Sequence, residues 1–68
     1  MRVTAEMFPA RETKAVDLPE GASGYDLMRR LDLAPDVHLL VRDDVPIPVD
    51  EKLRDGERVR VISVVSGG

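Results

Sequence analysis

The sequence predicts one α+β domain, a mixed sheet packed on a single helix. Three observations lead there: period-two apolar patterning at the start of the chain, one capped stretch with helical spacing, and a β-branched run at the end. With 68 residues, such a domain buries only about 60% of the surface its unfolded chain exposes. The core therefore has to be regular, and one helix covering one face of a sheet is the economical solution.

The opening "RVTAEMF" alternates, with Val3, Ala5 and Met7 toward the core and Arg2, Thr4, Glu6 and Phe8 outward. Pro9 interrupts it. "TKAVDL" resumes the alternation with Val16 and Leu18 inward, which makes a first hairpin. The period then changes. Ser23 is a natural N-cap and Asp26, three residues on, supplies a shortened capping box and an acid at the positive end of the helix dipole. Leu27 and Leu31 share a face beside Met28. Pro35 forbids continuation, so the helix is expected over 23–32, with Leu33 tucked under its end.

"VHLLVR" reads as a third strand with Val37, Leu39 and Val41 inward and His38, Leu40 and Arg42 outward. Asp43-Asp44 supplies a turn. Prolines 46 and 48 limit "VPIPV" to a short edge strand. Leu53 anchors the segment before an Asp55-Gly56 turn, and "RVRVISVV" closes the sheet with Val59 and Val61 inward. This last strand is the most β-prone and is expected to lie centrally. One domain over 1–65 is expected, followed by a Ser-Gly-Gly tail at 66–68.

Composition excludes several classes. There is no cysteine and one histidine, so neither a disulfide scaffold nor a His/Cys zinc site can be built. A net charge of −3 argues against nucleic acid as a direct partner. No apolar run approaches the roughly 20 residues that cross a bilayer, and "MRVTAEMF" alternates where a signal peptide has an apolar block. A monomer in the cytoplasm, without membrane association, is the expectation.

The ββαββ order resembles the β-grasp of ubiquitin-like proteins, and "LRDGERVRVISVVSGG" is similar to the ending of the sulfur-carrier and small-archaeal-modifier group. That group takes in the small subunit of molybdopterin synthase, the thiamine-pathway sulfur carrier and the archaeal modifiers. The residues that carry the likeness are Leu53, Asp55-Gly56, Val59 through Val65, and Gly67-Gly68. Asp-Gly-Glu stands where the group often has Asp-Gly-Asp, and Asp43-Asp44 where it often has Asn-Gly. The likeness spans the chain, with its specific part in the last residues. A Gly-Gly ending arises by chance in roughly one sequence in 200.

The resemblance implies that the protein is a substrate rather than an enzyme. An E1-like adenylyltransferase activates the Gly68 carboxylate with ATP, and a sulfur donor or a target-protein lysine then takes the acyl group. No cofactor is bound by the chain itself. Gly67 and Gly68 lack side chains that would crowd the carbonyl, and Ser66 marks where the chain leaves the sheet. Alternation along the last strand puts Arg58, Arg60, Ile62 and Val64 outward. If the first and last strands are parallel neighbours, as the β-grasp resemblance implies, Phe8 lies near Ile62 and Val64, with Leu40 and His38 of the third strand on the same face. An apolar patch rimmed by arginines follows, a docking surface at the root of the tail.

Other features bear less. His38 has no titratable partner fixed near it. Asp43, Asp44, Asp50 and Glu51 are ordinary turn acids rather than a metal site, and Arg29 and Arg30 form a solvated helix face. Lys14 and Lys52 are the only lysines, hence the only side chains for self-conjugation. Two alternatives remain on this reading: a β-grasp interaction module with a non-reactive tail, or the small subunit of molybdopterin synthase.

Overall fold

The structure, a computed structural model, describes residues 1–64. Strands β1 (Arg2–Phe8) and β2 (Glu12–Asp17) form the first hairpin, followed by helix α1 (Gly24–Arg30). A 3₁₀ turn (Pro35–Val37) leads into β3 (His38–Arg42), β4 (Val45–Ile47) and β5 (Arg58–Ser63). All five strands join one sheet in the order β2-β1-β5-β3-β4. The β-branched final strand is central, as its composition predicts, and runs parallel to β1. Its other neighbour, β3, is antiparallel.

The helix begins where the capping residues put it. The Ser23 backbone N–H donates to Asp26 Oδ2 at 2.8 Å and the Ser23 hydroxyl to the same oxygen at 3.2 Å. These bonds, the backbone one foremost, hold the Asp26 carboxyl below its ordinary pKa. The helix ends in a Schellman motif without glycine. Asp32 takes φ +59°, and the Leu33 and Asp32 N–H groups return to the carbonyls of Met28 (2.8 Å) and Arg29 (3.2 Å). Leu33 packs against the core, in the place its sequence position predicts. Gly24 at the helix start is required by space, since a Cβ there would stand 2.5 Å from Leu40 Cδ2 and 2.6 Å from the Val49 carbonyl oxygen.

One face of the sheet meets the helix. Val3 and Ala5 from β1, Leu27 and Met28 from α1, Leu40 from β3, and Val59 and Val61 from β5 form the core. The β3–β4 turn places Asp43 and Asp44 at φ +50° and +65°. This two-residue loop, with Arg42 opposite Val45, has the type I′ form that matches sheet twist. Aspartate tolerates the left-handed region better than most residues, which lets Asp-Asp stand where Asn-Gly is usual.

The Asp55-Gly56 turn sets the register of β5. Gly56, at φ +80°, donates its N–H to the Arg2 carbonyl at 2.8 Å. Asp55 Oδ1 accepts the Arg2 N–H at 2.8 Å. The parallel ladder then opens with Thr4 N–H to the Glu57 carbonyl at 2.9 Å. Because successive side chains alternate faces, fixing this start fixes which residues of β5 look outward.

One strand departs from the sequence pattern. Leu40, expected outward, is 1% exposed and belongs to the core, and Leu39, expected inward, is 38% exposed. The register is unambiguous: Leu40 pairs with the buried Val61 and Leu39 with Ile62. Val37, Leu39 and Val41 are all apolar, so alternation picks them as the inner set. They are apolar because the outer face is apolar here as well. Arg42, on the inner side, sits at the rim, where acids receive it.

Candidate functional site: the open face and the end of the last strand

The face turned away from the helix is uncovered among the described residues, and its character changes along β5. At the start of the strand it is charged. Arg58 Nη1 lies 3.5 Å from Glu6 Oε2, and Arg60 Nη1 lies 2.8 Å from Asp44 Oδ1. Toward the end of the strand it becomes apolar. Phe8 pairs with Ile62 across the parallel ladder, and Ile62 pairs with Leu39 across the antiparallel one. Three strands thus contribute one transverse row, Phe8–Ile62–Leu39, and Val64 stands beyond it, 61% exposed. The Val64 N–H donates to the Val37 carbonyl at 2.9 Å, so pairing continues to the last described residue.

Of the residues singled out from sequence, the structure brings Phe8, Arg58, Arg60, Ile62 and Val64 together on this face. It takes two away. Leu40 points into the core, with Leu39 in its place. His38 pairs with Ser63 in register and lies on the helix side, its Nδ1 2.7 Å from the Ala34 carbonyl oxygen. Ser66, Gly67 and Gly68 lie outside the described residues. Lys14 sits on β2 opposite Ala5, and Lys52 forms an isolated bridge with Ser23 before the turn into β5. Asp44 pairs with Arg60 and Glu51 with Arg42. Among the described residues no cluster of His, Cys, Asp and Glu is placed to hold a metal ion, and no helix is long and apolar enough to cross a membrane.

A clamp behind the face escaped the sequence reading. Arg42 Nε donates to Glu57 Oε1 at 2.6 Å and Nη2 to Oε2 at 3.1 Å, a bidentate pair. Nη1 reaches Glu51 Oε2 at 3.2 Å, and Nη2 also bonds the Lys52 carbonyl at 3.0 Å. Glu57 further accepts the Arg54 N–H at 2.6 Å. Burial pushes the Glu57 carboxyl up, but the Arg42 and Arg54 hydrogen bonds outweigh it and leave the group below its ordinary 4.5. The clamp ties β3 to Glu57, the residue just before β5. The signal for it was the Glu after Asp55-Gly56, whose longer arm reaches Arg42. Linking positions 15 apart in sequence requires the topology.

A parallel central pair formed by the first and last strands, with a helix on one face and the opposite face open among the described residues, defines a ubiquitin-like β-grasp domain. Within that class the chain belongs to the small archaeal modifier protein 2 family, which it matches over residues 1–65. It is 32% identical to small archaeal modifier protein 2 of Haloferax volcanii over 68 residues, 100% of both chains. It is also 32% identical over 62 residues to an uncharacterized protein of Archaeoglobus fulgidus, covering 90% of this chain and 91% of that one. The protein is thus one of the small archaeal ubiquitin-like modifiers.

Proposed function

We propose that the Gly68 carboxylate is the working group and that the protein serves as an acyl carrier between an E1-like enzyme and an acceptor. An α-carboxyl with pKa near 3.5 is ionised at neutral pH. One of its oxygens attacks the α-phosphorus of ATP, pyrophosphate leaves, and an acyl adenylate results. Hydrosulfide or a lysine amine then attacks the Gly68 carbonyl, AMP leaves and a proton is released, giving a thiocarboxylate or an isopeptide. The chain supplies the electrophile and a handle, and the partner supplies catalysis.

The observation that carries this reading is the apolar row Phe8–Ile62–Leu39 at the far end of β5, with Gly67 and Gly68 three and four residues beyond Val64 in sequence. An enzyme seated on that row has Gly68 within about 21 Å of Ile62, the extended span of six residues. The flanking ion pairs, Arg58 with Glu6 and Arg60 with Asp44, offer a polar rim that fixes orientation more than affinity.

The test uses a tagged chain expressed in an archaeal host and recovered under denaturing conditions. Trypsin cuts after Arg60, so each conjugated lysine keeps the remnant Val61–Gly68 as a branch. Branched peptides from the full chain, and none after deletion of Gly67-Gly68, are the expected outcome. No branches and no thiocarboxylate from the full chain would point to an interaction module with a non-reactive tail.

A further inference from the structure

We propose that the outer edge of β2 accepts an extended acidic peptide as an added strand. The two edges of the sheet are treated differently. The β4 edge is three residues long and carries Pro46, with Pro48 just after it, which blocks strand addition. The β2 edge is six residues long and has no proline, and among the described residues its only partner is β1.

Which groups face outward follows from the ladder. Met1 and Leu18 exchange both hydrogen bonds, each at 2.8 Å. In an antiparallel pair such bonded rungs recur every second residue, so Val3–Val16, Ala5–Lys14 and Met7–Glu12 are the bonded pairs. The N–H and C=O groups of Thr13, Ala15 and Asp17 therefore point away from β1. β1 agrees from its other side, where Arg2 and Thr4 bond toward the β5 segment.

Charge selects the occupant. Near the edge, Asp17 is taken by Arg2, Nε to Oδ1 at 2.9 Å, and Asp26 by Ser23. Lys14 on β2, and Arg29 and Arg30 on the last turn of α1, form no ion pair among the described residues. Arg29 and Arg30 line a shallow groove with Leu18 and Pro19 beside the end of β2. A strand added along β2 lays alternate side chains against these cations, where carboxylates are favoured. Glu12 stands beyond the outward rungs and Glu20 past the end of the strand. Backbone bonds supply the affinity in this mode of recognition and side chains the selectivity.

The test is a ¹⁵N–¹H titration of the full chain with an acetylated hexapeptide of alternating Asp and Val, and with its Lys/Val counterpart. The acidic peptide is expected to give saturable shifts and slowed exchange at the Thr13, Ala15 and Asp17 amides. Ala15→Pro removes an outward donor, keeps the β1 ladder, and weakens binding by about tenfold. The acidic peptide N-methylated at its ladder-forming amides loses binding without any change to the protein, and Arg30→Glu weakens it by about threefold. An equal response to the Lys/Val peptide, shifts confined to Phe8, Leu39 and Ile62, or no saturable shift would overturn the proposal. So would movement of the β2 amides with protein concentration alone, which assigns the edge to a second copy.

Discussion

Leu40→Ala is expected to lower the unfolding free energy by about 2–5 kcal/mol, the range for deleting a fully buried leucine. Leu39→Ala, one residue earlier on the same strand, is expected to cost less than about 1 kcal/mol. Leu40 is 1% exposed and packs against the helix face of the sheet, while Leu39 is 38% exposed on the open face. A domain of this size holds about 3–10 kcal/mol in total, so the first change leaves it near its limit. The docking effects run the other way. Leu39→Asp and Ile62→Asp each put a charge at one of the three positions of the apolar row and should weaken association with an activating enzyme while the fold persists. Denaturant midpoints on the two alanine variants decide the matter, and equal losses would mean that the phase of β3 is wrong.

The second large effect belongs to Arg42. With side chains 16% and 12% exposed, the Arg42–Glu57 pair is mostly out of water. Arg42→Met leaves Glu57 half-buried with the Arg54 N–H as its remaining hydrogen-bond donor, and should cost about 2–4 kcal/mol. In so small a domain that lowers Tm by at least about 10 °C. The pH dependence carries a sign. The folded carboxyl of Glu57 is depressed below 4.5, so the unfolded chain binds the proton first. The pair's contribution is fully present above about pH 4.5 and is lost as pH falls through the folded value. Without Arg42, Glu57 protonates more readily. The stability gap between the natural protein and Arg42→Met is therefore expected to narrow on acidification from pH 7 to below 4, as chemical denaturation at each pH would measure. A gap that holds constant would remove the clamp from the account.

Most of the fold was legible because local and global signals agree. Val59 and Val61 alternate inward, Ser23 and Asp26 cap the helix, and prolines 46 and 48 confine β4 to an edge. The pairing of Phe8 with Ile62 followed once the first and last strands were placed in parallel. Three things were not legible, for two different reasons. The phase of β3 misled because the open face is as apolar at this strand as the core, and periodicity cannot tell an apolar outer row from an inner one. The Arg42 clamp and the edge of β2, unpartnered among the described residues, are properties of topology. Nothing local to Arg42 announces Glu57, and nothing in "ETKAVD" says whether another strand lies beside it.

The central claim is that Gly68 carries an activated acyl group. The most direct measurement incubates the purified protein with ATP, a sulfur donor and an archaeal E1-like enzyme, and follows intact mass and the mass of the peptide Val61–Gly68. The expected result is an ATP-dependent replacement of one carboxylate oxygen by sulfur, confined to Gly68 and absent when Gly67-Gly68 are deleted. A folded protein that binds the enzyme through the Phe8–Ile62–Leu39 row, yet shows no ATP-dependent change at Gly68, would contradict it.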